Sequence, residues 1–181
     1  SFPTRRSSDL YTYAIVTDGD LMEGLASEAA SLAGHLKLGK LIYLYDDNHI
    51  SIEGDTSVSF TEDRMARFAA YGWHTQSISD GNDIEAINTA IEAAKSDPRP
   101  SIISVRTIIG YGLPTRAGTA KAHGEAPGAE ELAGAKTQAG WAAEASFVVP
   151  EQVSKFFDQQ LEKLEGQDFA WVRLFDEYKK Q

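Results

Sequence analysis

The sequence predicts an α/β fold in which a mainly parallel sheet is sandwiched by helices. Short apolar or β-branched runs alternate along the chain with segments whose apolar residues recur every three or four positions, which is the pattern of strands separated by helices. One run, 41–45, is almost continuously apolar, as in a parallel strand that is covered on both faces. The length of 181 residues suits one domain, or one domain and part of a second.

Four segments are predicted to be strands because they are short and rich in aromatic or β-branched residues. The last of them follows Asp97-Pro98-Arg99-Pro100, a stretch that ends the preceding helix and favours extended backbone. The predicted strands are 11–16, 41–45, 73–79 and 101–106.

The helices are predicted from the spacing of their apolar residues. The first has Leu21, Leu25 and Leu32 on one face, and Gly39 is expected to close it. Thr61 is expected to cap the second, because Glu and Asp follow it in the first turn. The predicted helices are 21 to about 38, 61 to about 70, 83–95, 129–138, a helix that Pro150 begins and that reaches at least 164, and 169–178.

Composition excludes several classes of function. The net charge of −10 and the pI near 4.8 argue against a nucleic-acid partner, since phosphate backbones are bound by clustered Lys and Arg. No apolar stretch approaches the roughly 18 residues of a membrane helix, and the chain has no cysteine for disulfides or thiolate chemistry. We expect a cytoplasmic protein without a membrane partner.

Residues 1–10, SFPTRRSSDL, show neither helical nor strand periodicity. Back-translated, Thr-Arg-Arg-Ser-Ser-Asp-Leu resembles the reading of a common sequencing adapter. We therefore expect residues 1–10 to be a non-native leader; a genuine Ser/Arg-rich loop is the alternative.

Oxygen-bearing side chains follow the first two predicted strands. Asp18-Gly19-Asp20 comes after the first strand and Asp46-Asp47-Asn48 after the second. If these strands are parallel neighbours, the right-handed crossover brings both carboxyl ends to one edge of the sheet. Asp18 and Asn48 are then expected to share a small ion, because Mg²⁺ prefers carboxylate and amide oxygens completed by phosphate and water.

Two further features favour a diphosphate beside that ion. Gly19 has no side chain where a phosphate must approach, and the N-terminus of the helix beginning near Leu21 offers free N–H groups. A simple Asp-Gly turn also accounts for the dipeptide. The second oxygen cluster, thirty residues on, favours the ion site.

The central residues resemble the thiamine diphosphate motif of transketolases. The general motif of thiamine diphosphate enzymes, Gly-Asp-Gly with an Asn 25–30 residues on, has moderate specificity, and Thr17 stands here in place of its first Gly. The longer match is far more specific and covers 11–181. It comprises Asp18-Gly19-Asp20, Glu23-Gly24, Glu28-Ala29, Ala33-Gly34-His35-Leu36, 45–52 (YDDNHISI), 60–63 (FTED), Tyr71-Gly72-Trp73, 107–112 (TIIGYG), Ala122-His123-Gly124, 147–150 (FVVP), Trp171, Leu174, Phe175 and Tyr178.

The resemblance implies a thiamine diphosphate-binding fold, with residues 11–150 as a partial diphosphate-binding domain that is incomplete at its N-terminus. Residues 151–181 would lead to a linker and a second domain. Asp18, the Asn48 side chain and the Ile50 carbonyl would hold Mg²⁺ (or Ca²⁺), and Gly19 would contact the diphosphate.

Three more residues receive roles from the resemblance. Ile52 would form an apolar wall beside the cofactor, and Glu23 would join an acidic network between subunits. His123 would be the catalytic histidine, donating a hydrogen bond to the diphosphate and the reacting centre. His35 and His74 are expected to be structural, whereas His49 follows a proposed ligand and the sequence leaves open whether its side chain faces the metal.

The implied activity is the transfer of a two-carbon ketol unit from a ketose phosphate to an aldose phosphate by a homodimer. The glutamate that activates the cofactor would come from the second domain of the partner subunit. We therefore expect the 181-residue chain alone to be inactive, which a coupled ketol-transfer assay tests. The alternatives are a deoxyxylulose-phosphate synthase, a dihydroxyacetone synthase, a phosphoketolase, or a non-catalytic assembly module of the same fold. A generic Mg²⁺-nucleotide protein is disfavoured, because the sequence lacks the phosphate-loop and dinucleotide fingerprints.

Overall fold

The computed structural model describes residues 10–144 and 146–180. It divides into two compact units, whose described parts are residues 10–143 and residues 144–180 without 145. The leader predicted for residues 1–10 falls, except for Leu10, outside the described residues, and the predicted domain boundaries stay predictions.

The first unit has alternating strands and helices, in agreement with the predicted α/β class. Two short 3₁₀ helices, Thr56–Val58 and Ala120–Ala122, lie in its longer loops. Its strands are β1 (Thr12–Thr17), β2 (Leu41–Asp47), β3 (His74–Ile78) and β4 (Ser101–Arg106). Its helices are α1 (Asp18–Met22), α2 (Gly24–His35), α3 (Arg64–Ala70), α4 (Ile84–Ser96) and α5 (Ala129–Gln138).

The four strands form one parallel sheet in the order β1-β2-β4-β3. This confirms that the first two strands are parallel neighbours. Their register pairs Thr17 with Asp46, so that the residues following β1 and β2 meet at the carboxyl edge of the sheet.

Two apolar clusters pack against the sheet. One contains the ring of Trp73, which lies 4.9 Å from the Tyr43 ring and 5.0 Å from the Phe68 ring between centroids. Ala90 and Ala94 of α4 pack in the other with Ile42, Ile103 and Val105. Helices therefore cover both faces of β2 and β4, which explains the nearly continuous apolar sequence of these strands.

The first predicted helix, 21–38, is wrong at both ends and in its continuity. It begins at Asp18 and breaks at Glu23, whose backbone is extended (ψ 135°), so that α1 and α2 are separate helices. It ends at His35, with Leu36 as C-cap, rather than near Leu38. Lys37, not Gly39, takes the left-handed conformation after the helix (φ 53°).

The N-cap predicted for the helix from 61 to about 70, which is α3 in the structure, was also wrong. Asp63, not Thr61, is the N-cap of α3, and its carboxylate accepts a hydrogen bond from the Ala66 N–H at 2.9 Å. Both residue types cap helices well, and the prediction placed the start of the helix two positions too early, with Asp63 inside its first turn.

The second unit consists mainly of a single 29-residue helix, α6 (Glu151–Lys179). The sequence predicted two helices here, one from Pro150 to at least 164 and one over 169–178, and this division was wrong. One glycine inside a helix costs only about 1 kcal/mol relative to alanine, and the helix continues through it. Within residues 10–144 and 146–180, the helices include none whose length and apolar character would let it cross a membrane.

Candidate functional site

The Asp18 carboxylate lies at the centre of the candidate site. Asp18 is the first residue of α1, directly after β1, and only 1% of its surface is exposed. The Tyr45 hydroxyl donates a hydrogen bond to Oδ1, and the His49 N–H donates one to Oδ2 at 3.1 Å. Asp18 therefore ties the end of β1 to β2 and to the loop that follows β2.

A second layer of charged groups supports these contacts. The Arg64 guanidinium lies 5.8 Å from the centroid of the Tyr45 ring and donates to Asp47 Oδ1 at 3.1 Å. Asp47 also accepts from Ser104 Oγ at 3.0 Å. We call Asp18, Tyr45, Asp47, the His49 backbone and Arg64 the Asp18 corner.

The charge balance of the Asp18 corner favours the binding of a cation. Burial raises the pKa of Asp18, although the Tyr45 hydrogen bond and the Arg64 charge both act to lower it. Burial and the neighbouring Asp18 carboxylate raise the pKa of Tyr45, so the phenol keeps its proton and remains a donor. A buried carboxylate whose charged form is disfavoured is short of compensating positive charge, which a divalent cation would supply.

Asn48 and Ile50 belong to the loop that Asp18 holds. The Asn48 side-chain oxygen accepts from the Ile50 N–H at 2.8 Å, and its amide nitrogen donates to Asp46 Oδ2 at 3.1 Å. Ile50 also forms an isolated antiparallel bridge with Asp55. The segment 48–55 is thus folded on itself and linked to Asp18 through the His49 N–H, whose residue has a positive φ of 60°.

The donor types of these residues fit Mg²⁺ or Ca²⁺. A carboxylate, a side-chain amide and a main-chain carbonyl are hard oxygen ligands, which both ions prefer. Within residues 10–144 and 146–180, no cluster of three or more His, Asp or Glu side chains has metal-binding geometry. An ion at this corner would therefore need amide, carbonyl, phosphate or water oxygens in addition to Asp18.

The helix N-terminus contributes less than the sequence suggested. α1 has only five residues, and Thr17 caps it in a reciprocal capping box with Asp20. Asp20 Oδ2 accepts from the Thr17 N–H at 2.8 Å. The threonine that departs from the general motif therefore starts the helix, and its hydroxyl accepts a hydrogen bond from the Asp20 N–H, which occupies one donor of the helix N-terminus.

The remaining predicted site residues lie at the surface. A Cβ on Gly19 would meet only Thr17 Oγ1, at 3.8 Å, so the described chain itself does not require glycine there. Ile52 is 70% exposed, and Glu23 is exposed at the N-cap of α2. These placements make all three residues accessible to another molecule.

His123 lies on the loop 107–128, which we call the His123 loop. Its side chain is exposed, and its N–H donates to the Ala120 oxygen at 2.9 Å. Among residues 10–144 and 146–180, no hydrogen bond or ion pair joins His123 to Asp18 or Asn48. The structure thus links Asp18 with the Asn48 segment and leaves His123 without a direct bond to either.

Sequence reasoning missed Tyr45 and Arg64. Tyr45 was assigned to an apolar strand and stood in the resembling motif 45–52, but it was given no role at the site. Its position next to Asp46 at the carboxyl end of β2, opposite Val16 in the register with β1, is the signal that places its hydroxyl near Asp18. Arg64 offered no comparable signal, because its contacts depend on how α3 packs.

A protein-family model described as the thiamine diphosphate-binding domain of transketolase matches residues 2–181. The transketolase of Halalkalibacterium halodurans is 48% identical over 172 residues, which is 95% of this chain and 26% of that protein. The transketolase of a Nostoc species is 50% identical over 179 residues, or 98% of this chain and 27% of that protein.

Solved structures agree with these relatives. A Pichia stipitis transketolase in complex with sedoheptulose 7-phosphate superposes with a TM-score of 0.86 and 44% identity, over 94% of this chain and 25% of that one. The transketolase of Leishmania mexicana has a TM-score of 0.88 and 38% identity, over 98% of this chain and 27% of that one. The chain spans about a quarter of the length of the proteins it matches.

Proposed function

Because the chain belongs to the transketolase family, through the thiamine diphosphate-binding domain, we propose that it binds thiamine diphosphate with Mg²⁺ (or Ca²⁺). In the whole protein, the bound cofactor would serve transfer of a two-carbon ketol unit from a ketose phosphate to an aldose phosphate. The observation that carries the proposal is the buried Asp18 carboxylate, held where β1 and β2 end.

Asp18, the Asn48 side-chain oxygen and the Ile50 carbonyl are the proposed metal ligands. The His49 N–H contact to Asp18 supports this set, because it ties the loop of Asn48 and Ile50 to the carboxylate. Asn48 Oδ1 accepts from the Ile50 N–H in the structure. Since an amide oxygen has two lone pairs, it can keep that bond and still bind a cation.

The surface residues receive the other roles. Gly19 leaves open space for the diphosphate, and exposed Ile52 offers apolar surface to the cofactor. His123 is proposed as the catalytic hydrogen-bond donor, because its exposed ring stands on a loop at the carboxyl end of β4. Glu23 is proposed to join an interface between subunits of a homodimer.

Bound thiamine diphosphate supplies the electron sink for breaking and forming the carbon–carbon bond. The described residues would bind the metal and the cofactor. Asp18 supplies a negative charge to the cation, the 48–55 loop supplies further oxygen ligands, and His123 donates a hydrogen bond. The resemblance assigns activation of the cofactor to a glutamate of a second domain, so we propose that this chain alone does not turn over. A cytoplasmic location and sugar-phosphate substrates are part of the same proposal, and the sedoheptulose 7-phosphate complex of the Pichia stipitis relative supports the substrate class.

The proposal is tested by replacing Asp18 with alanine in the full-length enzyme. Calorimetry should show that Mg²⁺-dependent binding of thiamine diphosphate is abolished, because the charged ligand is lost. Asp80→Ala is the matched control, since it removes an exposed carboxylate that accepts hydrogen bonds from the nearby Asn82. Unchanged cofactor affinity in a folded Asp18→Ala protein would refute the ligand assignment.

A further inference from the structure

We propose that Tyr45 is a positioning residue for Asp18: its hydroxyl, backed by Arg64, fixes the carboxylate in one orientation before a cation binds. The inference rests on the proposed function, because it assigns Tyr45 a role toward the metal ligand. It goes beyond that proposal by naming the groups that set how strongly Asp18 binds the cation.

The contact between Tyr45 and Asp18 is buried and joins two elements. Tyr45 is 1% exposed and lies in the same apolar cluster as Leu21. Its hydroxyl donates to Oδ1 of Asp18, while the His49 N–H donates to Oδ2. With one donor on each oxygen, rotation of the carboxylate would break at least one charge-assisted hydrogen bond, the stronger kind of hydrogen bond in proteins.

Arg64 keeps the Tyr45 ring in place. The guanidinium carbon lies 5.8 Å from the centroid of the Tyr45 ring and 5.2 Å from that of Phe60. Arg64 is itself held by Asp47 Oδ1 at 3.1 Å. Its side chain is only 14% exposed, so the surrounding protein restricts its movement. The Tyr45 ring therefore lies between the apolar cluster and the Arg64 guanidinium, and its hydroxyl is directed at Asp18.

Such a donor affects metal binding through geometry. A carboxylate that is already oriented loses little conformational freedom when a cation binds, and removal of a hydrogen bond of this kind typically weakens metal affinity by about 10–100-fold. Tyr45 does not touch the proposed ion, and its effect should therefore appear in the affinity for the metal rather than in contacts with the cofactor's rings.

The test is Tyr45→Phe in the full-length enzyme, with Mg²⁺ titrated by calorimetry at fixed thiamine diphosphate. We expect the Mg²⁺ dissociation constant to rise by about 10–100-fold, while saturating Mg²⁺ restores cofactor binding. Tyr43→Phe is the control: it removes a hydroxyl from the same strand, on a ring that packs against Trp73. A Mg²⁺ affinity of Tyr45→Phe within about twofold of that of Tyr43→Phe would overturn the inference.

Two comparisons keep this result separate from the proposed function. If Asp18→Ala abolishes Mg²⁺-dependent binding and Tyr45→Phe does not weaken it, the positioning role fails and the proposed function stands. If Asp18→Ala has no effect, the proposed function itself fails. Should Tyr45→Phe not fold, Arg64→Lys replaces it, because lysine keeps the charge and loses the planar group beside the ring; weaker Mg²⁺ affinity supports the role, and unchanged affinity overturns it.

Discussion

The Asp18 corner and the His123 loop are built in opposite ways. Asp18 and Tyr45 of the corner are buried, and the side chains of the corner are bonded to one another and to Ser104 across α1, β2, α3 and β4. The His123 loop is largely exposed, and its shape depends on five glycines with positive φ, at 110, 112, 118, 124 and 128. Asp18, the proposed metal ligand, therefore belongs to the folded core, whereas His123, the proposed catalytic histidine, lies on a loop outside the core.

This contrast predicts that mutations in the two regions have different effects on the site. Changes beneath the corner should alter global stability and ligand geometry together, because the same contacts provide both. Changes in the His123 loop should leave the core intact and alter only the loop.

Leu21→Ala should cause the largest loss of stability. Leu21 is 2% exposed and packs in the cluster that contains Tyr45, and replacing a buried leucine with alanine typically costs about 2–5 kcal/mol. Leu25→Ala, at a leucine that is 76% exposed, is the matched control and should change the free energy of unfolding by less than about 0.5 kcal/mol. Denaturant unfolding of the full-length protein measures both.

The contrast would break if the two leucine variants lost similar stability. That result would mean that the exposed side of α2 is buried in the full-length protein, so that Leu25 belongs to an interface. A Leu21 variant as stable as wild type would instead show that the corner does not depend on the packing beneath it.

The sequence predicted the backbone arrangement of the Asp18 corner but not its supporting side chains. The parallel pairing of β1 and β2, and with it the meeting of Asp18 with the Asn48 segment, followed from strand pattern and crossover rules. The break at Glu23 and the cap at Asp63 did not, because each depends on a local competition of a few tenths of a kcal/mol up to about 1 kcal/mol between neighbouring residues. Tyr45 and Arg64 escaped detection because their roles arise from packing across elements that are distant in sequence.

Gly110→Ala should have an intermediate effect that is confined to the His123 loop. Gly110 has φ 63°, and a Cβ there would lie 2.7 Å from the Ala122 Cβ and 2.9 Å from Leu113 Cδ1. Gly124 has φ 72° with open space around it, so Gly124→Ala carries the backbone strain of about 1–2 kcal/mol without the collision.

Hydrogen exchange should therefore show more loosening of residues 119–124 in Gly110→Ala than in Gly124→Ala, with overpacking adding about 1–3 kcal/mol. The strands of the sheet should keep their protection in both variants. Equal exchange in the two variants would show that the contact with Ala122 does not shape the loop. Loss of protection in β2 would show that the loop and the corner are not independent.

The smallest effect is expected at Glu131. The stability contributed by this carboxyl, which contacts the His123 loop, should change with pH in the opposite direction to that of Asp18 in the corner. Burial raises the pKa of Asp18, so ionisation of this carboxyl disfavours the metal-free fold as the pH rises through its folded pKa. Glu131 of α5 is different: Thr115 donates to it from its hydroxyl and, at 3.2 Å to either oxygen, from its N–H. These bonds lower the pKa of Glu131 from its ordinary 4.5.

A lowered folded pKa means that the stabilisation by ionised Glu131 is fully present above about pH 4.5 and is lost as the pH falls through the folded value. The protection factor of the Thr115 amide, corrected for intrinsic exchange, should therefore decline below that pH in the wild type. Glu131→Gln should show weaker protection at neutral pH and no such decline, because its amide does not titrate. Glu130→Gln, one position earlier on the exposed side of the helix, is the control and should follow the wild type. If Glu131→Gln also followed the wild-type curve, the decline would not come from Glu131, and this part of the loop would depend on its backbone and on other side-chain bonds, such as those of Arg116 to the Lys121 and Ala126 oxygens.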